Sequence, residues 1–429
     1  MAILLKWYSK AATPRCRESA DTLVNEGMTG RTPGLSIEQA MSEMTDERLM
    51  IRETARRFAL QEVLPIANQL DPNKGSIPRD LIQKMAGLGY FGIIIDEKYG
   101  GMGLGAFEYC IITEELARAW MSVSSLLARG NSMLDLPNMS EEWRSRMLPK
   151  VVAGELLGAF AMSEPNAGSD IANISTRAVR DGDDYLITGS KYWCTFADGA
   201  DYLIVMARTS TDADKATRRH AGLSAFMIEK PRGALPDGVK GSPIPKIGYF
   251  GWNTWELAFD NLRVPASSMV SEEGRGFYMA SHNLELARAY TAARSIGLAR
   301  GALEDAMAYS QERHQFKQPI SEFQVTRFKI AKMATDVEAS RQLLYFVCDE
   351  IDKGRRCDKE AAMCKYHAAE MAERVTSEAL QIFGGAGYTT LHAVERHWRD
   401  ARLTKIFDGT SEIQLRIISD HLLGKPKNG

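Results

Sequence analysis

The chain has 429 residues, 45% of them apolar and 25% charged, with a formal net charge of -2. That length exceeds one small hydrophobic core and points to two or three domains. The near-neutral balance gives no electrostatic ground for nucleic acid or an anionic membrane as partner. No run nears the roughly 20 apolar residues that span a bilayer, so no transmembrane segment is expected.

Residues 1–43 carry Lys6, Lys10, Arg15 and Arg17 with Ser9, a weak likeness to an organelle transit peptide. Lacking an amphipathic pattern, they are read as a disordered extension or as sequence upstream of a start at Met41 or Met44. From Thr45 the text turns helical: Thr45, Asp46 and Glu47 mark a helix start, and Ile51, Ala55, Phe58 and Leu60 supply an apolar stripe. A second helix runs through Leu81, Met85 and Leu88. The glycines 100, 101, 103 and 105 break the chain before helical spacing resumes from Glu108 to Trp120. Residues 44–155 are thus expected to form an N-terminal helical domain.

The pattern changes near Leu156. Ser175 to Val179, the Asp181-Gly182 turn and Tyr185 to Ile187 predict a β-hairpin. Tyr202–Ala207, Leu223–Ile228 and Glu256–Phe259 predict further short strands, so 156–272 is expected to be a middle β domain of barrel or sandwich type. Residues 273–429 return to helical spacing. One long helix through Leu284, Arg288, Gly297 and Gly301 ends near Arg313, and its two glycines allow another helix to approach closely. The fold class is therefore α+β and multidomain, with a C-terminal helical bundle and a ligand cleft where helices meet the inserted sheet. The cysteines (Cys16, Cys110, Cys194, Cys348, Cys357 and Cys364) form no C-x-x-C pair or finger spacing, which predicts neither a disulfide framework nor a zinc or other metal site.

Four segments carry candidate chemistry. Phe160 to Asp170, with Met162, Ser163, Glu164 and Ser169, is a polar turn-forming loop after an apolar strand. It reads as a capped connection or as a set of donors for a polar ring. Lys191-Tyr192-Trp193-Cys194-Thr195 places an indole two residues from a hydroxyl on one strand face. Gln381-Ile382-Phe383-Gly384-Gly385-Ala386-Gly387 ends a helix with a glycine cap, which also lets backbone approach a ligand. Phe407-Asp408-Gly409-Thr410-Ser411-Glu412 sets a carboxylate on a glycine turn at the entrance to an amphipathic helix. None of these is the G-x-G-x-x-G dinucleotide fingerprint.

In this order, and over about Met44 to Leu423, the segments resemble the acyl-CoA dehydrogenase family. The resemblance implies a C-terminal four-helix bundle, FAD as cofactor, and α,β-desaturation of an acyl-CoA thioester. Asp408 would take the α-proton and the flavin N5 the β-hydride. It implies that Phe160, Met162, Ser163, Ser169, Trp193 and Thr195 lie by the flavin ring. Arg313, Phe316, Phe323 and Gln324 would meet the rest of the FAD, as would Gln381, Gly384, Gly385, Thr410 and Glu412, with the glycine loop usually given by a neighbouring subunit. Substrate contacts fall on Ser169, Glu285, Arg288 and Gly409, the last beside the Asp408 N–H that polarises the thioester oxygen. A homo-oligomer (a dimer of dimers) and an electron-transfer flavoprotein as acceptor are implied, in the cytoplasm of a bacterium or the mitochondrial matrix of a eukaryote.

Four positions depart from the family pattern, the smallest being Gln318 after Lys317, where the family usually shows a glycine and a basic residue soon after the arginine matched by Arg313. Most members carry Glu where this chain has Asp408; Asp there is known in relatives that desaturate alicyclic thioesters. The base position on the long helix used by branched- and long-chain relatives is Ala287, and the arginine seven residues past the base is Leu415. The competing readings are a flavin oxidase of the same superfamily and a catalytically idle binding protein. The short basic run Lys215, Arg218 and Arg219 is read as a solvated loop and not as a nucleic-acid patch.

Overall fold

A computed structural model describes residues 44–131, 139–210, 220–281 and 284–426. The extension 1–43 and the basic run 215–219 lie outside the described residues. The first helical unit comprises α1 (Asp46–Phe58), α2 (Leu64–Leu70), α3 (Arg79–Gly87), α4 (Ala106–Ala119) and α5 (Glu141–Val152). Helix α1 starts where expected: the Thr45 hydroxyl accepts from the Arg48 N–H, and Ile51, Ala55 and Phe58 are buried. Helix α4 is buried almost throughout, even at Glu114 and Glu115. Those carboxylates are matched by Arg300 and Arg341 from the last unit, so a buried ionic lattice joins the two helical units.

The middle unit contains β1 (Gly158–Ala161), β2 (Arg177–Asp181), β3 (Asp184–Thr195), β4 (Tyr202–Arg208), β5 (Leu223–Glu229), β6 (Val239–Pro243) and β7 (Thr254–Pro265). These form one seven-stranded sheet in the order β1-β4-β2-β3-β7-β6, with β5 on the far side of β4. The predicted hairpin is β2–β3, paired antiparallel. Strand β4 is buried along nearly all its length, as its continuous apolar text requires.

The last unit contains α6 (Leu284–Glu312), α7 (Gln324–Asp352), α8 (Asp358–Phe383), α9 (Ala393–Thr404) and α10 (Ser411–Leu423). Helix α6 is the axis of the molecule, packing on α4, α7, α8 and α9. Gly297 is what permits its contact with α4, because a Cβ there would lie 2.4 Å from the Glu114 carbonyl oxygen. Cys110, Cys194, Cys348, Cys357 and Cys364 are buried and unpaired. Among the described residues no helix is long and apolar enough to cross a membrane.

Candidate active site

The turn between α9 and α10 holds the acidic residue. Asp408 has φ +54° and Gly409 φ +84°, so the chain passes through two left-handed residues in succession. Among acidic side chains Asp tolerates that region best, and glycine meets no Cβ penalty there. The Gly409 carbonyl is pinned by the Lys365 ammonium (2.6 Å) and the Gln414 amide (3.0 Å). Burial pushes the Lys365 ammonium down to about 8 even though Asp408 favours its charge. Thr410 then caps α10 by accepting from the Ile413 N–H, and Glu412 is exposed in the first helical turn.

Asp408 presents one tied oxygen and one open one. Its Oδ2 is ion-paired with Nη2 of Arg294, a buried side chain on α6. The Thr291 hydroxyl, one turn earlier on α6, lies 3.0 Å from the same oxygen and accepts from Arg294. Burial works against the Arg294 charge, but Tyr290 and Asp408 outweigh it and hold the guanidinium above its ordinary value. No described group bonds Oδ1, and 44% of the Asp408 side chain is accessible. The Asp408 N–H likewise makes no hydrogen bond among the described residues.

Neither Arg294 nor Thr291 was anticipated. The sequence signal was an arginine amid the small and apolar Ala292, Ala293, Ile296 and Gly297, where a solvated cation is out of place. Leu415 and Arg416 do not substitute for it, since Leu415 is exposed and Arg416 lies 3.9 Å from Asp420. The cation that pairs with Asp408 comes from α6 and not from the residues that follow it in sequence.

The loop after β1 is held from below. Glu164 is buried, bonded by the Lys191 ammonium (2.9 Å) and by the N–H groups of Ser175 and Thr176. Burial opposes its charge, yet the Lys191 ammonium and these N–H groups keep its carboxyl at about 2. The Ser163 carbonyl accepts from the Tyr192 N–H, which joins the loop to β3. Phe160, Met162 and Ser163 are half-buried and Ser169 is exposed.

The sequence expectation of simple strand alternation for Trp193 and Thr195 needs correction. The β3–β7 register shifts between Lys191 and Cys194, and Trp193 has φ +64°. This bulge turns the indole outward, 56% exposed, while the Thr195 hydroxyl stays half-buried beside Thr254.

The remaining predicted residues fall into two further groups. Arg313 lies exposed just past the end of α6, followed by Phe316, which meets Phe323 edge to face, and by exposed Gln324. Gln381, Gly384 and Gly385 are exposed at the end of α8, and a Cβ at either glycine would meet nothing. No hydrogen bond or ion pair among the described residues joins these groups to the Ser163–Trp193 loop. Glu285 and Arg288 both turn to the start of α8: Glu285 accepts from the Cys357 N–H (2.8 Å), and buried Arg288 lies 3.6 Å from Asp358. The exposed pair allowed by helix spacing alone is thus not what forms.

A helical body with an inserted sheet, an acid on a left-handed turn and a polar, aromatic-edged loop are the parts of a flavin-dependent oxidoreductase, the class the comparisons with known proteins show. The chain belongs to the acyl-CoA dehydrogenase family. Models of the family's N-terminal, middle and C-terminal domains match residues 45–155, 159–262 and 274–423. It is 39% identical to an acyl-CoA dehydrogenase of Bacillus subtilis, across 89% of this chain and 99% of that one. It is 37% identical to the human mitochondrial short-chain specific acyl-CoA dehydrogenase, across 89% and 91%. Butyryl-CoA dehydrogenase of Megasphaera elsdenii superposes with a TM-score of 0.82 at 35% identity, covering 88% of this chain and 98% of that one.

The protein is accordingly an FAD-dependent acyl-CoA dehydrogenase, acting on CH–CH donors. These matches are dehydrogenases and set aside the oxidase and idle-scaffold alternatives. The residues present fit the cofactor: an outward-facing indole offers a flat apolar surface, and the Ser163, Ser169 and Thr195 hydroxyls offer donors beside it.

Proposed function

We propose that Asp408 is the base that removes the α-proton of the bound acyl-CoA. The observation that carries this is its half-finished bonding, with Oδ2 tied to Arg294 and Thr291 and Oδ1 open. Arg294 fixes the direction of the carboxylate, which leaves the open oxygen placed to accept the proton. As the α-proton leaves, charge builds on the thioester oxygen, and the unbonded Asp408 N–H is the chain's donor for it. FAD, when bound, supplies the acceptor for the β-hydride.

On this reading the ring of the cofactor lies against Trp193, Thr195, Met162 and Ser163, with Phe160 and Ser169 at its edge. Glu285, Arg288 and Gly409 serve the substrate. Arg313, Phe316, Phe323, Gln324, Gln381, Gly384, Gly385, Thr410 and Glu412 serve the remainder of the cofactor, shared between subunits of a dimer of dimers. Support comes from large apolar side chains left in the open on one chain: Phe316 at 89%, Leu391 at 84% and Tyr388 at 82% exposure. An electron-transfer flavoprotein is the acceptor we favour. A relative from Acetobacterium woodii, 37% identical over 89% of this chain, is named a subunit of a caffeyl-CoA reductase-Etf complex. The bacterial cytoplasm or the mitochondrial matrix would be the compartment.

The test is anaerobic mixing of the holoenzyme with a panel of acyl-CoA thioesters, following loss of the oxidised-flavin absorbance. At least one thioester should bleach the wild type. Asp408→Asn should keep its flavin and bleach at least about a thousandfold more slowly. Full-rate bleaching by the variant would remove Asp408 from the mechanism.

A further inference from the structure

Along a chain of aromatic contacts leading to Asp408, three buried side-chain donors have no acceptor among the described residues. Arg129, on the helical turn Leu127–Asn131, is half-buried and has no carboxylate partner among the described residues, and its Nε is buried without an acceptor. Its guanidinium lies 5.4 Å from the Trp252 ring. The Trp252 indole N–H is also buried without an acceptor. From Trp252 the contacts run to Tyr249 (5.4 Å between rings), then Phe407 (6.0 Å), the residue before Asp408. Arg294 closes the path, with its guanidinium between Phe407 (4.4 Å) and Tyr290 (4.3 Å) and its Nε buried without a partner.

Three buried donors thus lie along one chain of aromatic contacts that ends at the base. Guanidinium and indole groups can only donate, so no rearrangement among them satisfies the set. Arg294 occupies Asp408 Oδ2 and the Ser125 hydroxyl, and the acceptors left near the base are the open Oδ1 of Asp408 and the Gln414 amide oxygen, neither of which bonds Arg129. Leaving a guanidinium unpaired away from water is unfavourable. An alkyl chain, straight or cyclic, would bury these donors deeper and supply nothing to them. A carboxylate supplies two oxygens in the fork geometry that arginine matches.

We propose that the acyl group of the substrate ends in a second carboxylate, a short dicarboxylic acid monothioester, and that Arg129 is the residue that reads it. The aromatic side chains Tyr249, Trp252, Tyr290 and Phe407 wall the carbon chain between the two ends. This rests on the placement of the acyl group beside Asp408, and the two ideas are separable by experiment.

The experiment uses a pair of length-matched 3-thiaacyl-CoA ligands, one ending in a carboxylate and one in methyl. With sulfur at the β position they bind without being desaturated. Binding to the FAD holoenzyme is measured by calorimetry for the wild type, Arg129→Met and Arg129→Lys. The carboxylate ligand should bind about tenfold or more tightly than its methyl counterpart, an advantage lost in Arg129→Met and partly kept in Arg129→Lys, each variant retaining its flavin spectrum. Equal or tighter binding of the methyl ligand by the wild type would overturn the proposal, as would an advantage that survives Arg129→Met. Should Arg129→Met lose its flavin, the wild-type comparison with Arg129→Lys decides. Carboxylate-selective binding without bleaching by the corresponding desaturable thioesters would uphold this inference and remove Asp408 as base; bleaching without selectivity would do the reverse.

Discussion

Glu164 and Asp408 are each held by a buried cation, Lys191 and Arg294, but the two carboxylates are finished differently. Glu164 has both oxygens filled, Oε1 by Lys191 and the Thr176 N–H, Oε2 by the N–H and hydroxyl of Ser175. Its side chain is only 4% exposed. Asp408 has one oxygen filled and 44% of its side chain accessible. The first pair is closed and can only hold structure together. The second holds an oxygen in place and leaves its neighbour available to a proton. Two pairings of a carboxylate with a buried cation thus serve stability or chemistry according to how many lone pairs remain unused.

That contrast can be broken by substitution, and the largest effect should come from Glu164. Glu164→Gln strands a buried ammonium, so unfolding free energy should fall by about 3 kcal/mol or more in a denaturant titration. A variant as stable as wild type would mean that the pair is not closed. Acidification should weaken the same region. The Glu164 carboxyl is held at about 2, below its ordinary 4.5, so its contribution is complete above about pH 4.5 and lost as pH falls toward 2. Glu164→Gln should lack that acid-dependent component, and an unchanged acid profile would deny the role.

At the open pair the loss should appear in rate and not in fold. Arg294→Met leaves Asp408 undirected and should slow flavin reduction about a hundredfold. Arg294→Lys should return part of that, and a Met variant with wild-type rates would show that the pairing is incidental. Thr291→Val removes one hydrogen bond to Oδ2 and should slow reduction roughly threefold to tenfold. A loss as large as that of Arg294→Met would put the positioning on Thr291 instead.

The fold was legible where one signal sat in one stretch of sequence. Thr45 as a cap, the Asp181-Gly182 turn, the apolar β4 and the glycines at 297 and 301 each fixed a local feature that the structure keeps. The Asp408-Gly409 turn was legible for the same reason. Partnerships across long sequence separation were not. Arg294 meets Asp408 across 114 residues and Lys191 meets Glu164 across 27, and no periodicity encodes either. Trp193 was misread because a bulge changes the side-chain alternation that spacing assumes. Glu285 and Arg288 lay on a helix whose neighbour, the start of α8, could be known only from the packing.

The central claim, that the free oxygen of Asp408 takes the α-proton, is tested most directly by hydrogen exchange at that carbon. A 3-thiaacyl-CoA carrying deuterium at its α-carbon is incubated with holoenzyme in ordinary water, and washout is followed by mass spectrometry. The wild type should exchange the label, while Asp408→Asn, whose amide suits the same left-handed turn, should exchange it at least about a thousandfold more slowly with flavin and ligand still bound. Exchange at the wild-type rate in the variant would contradict the account.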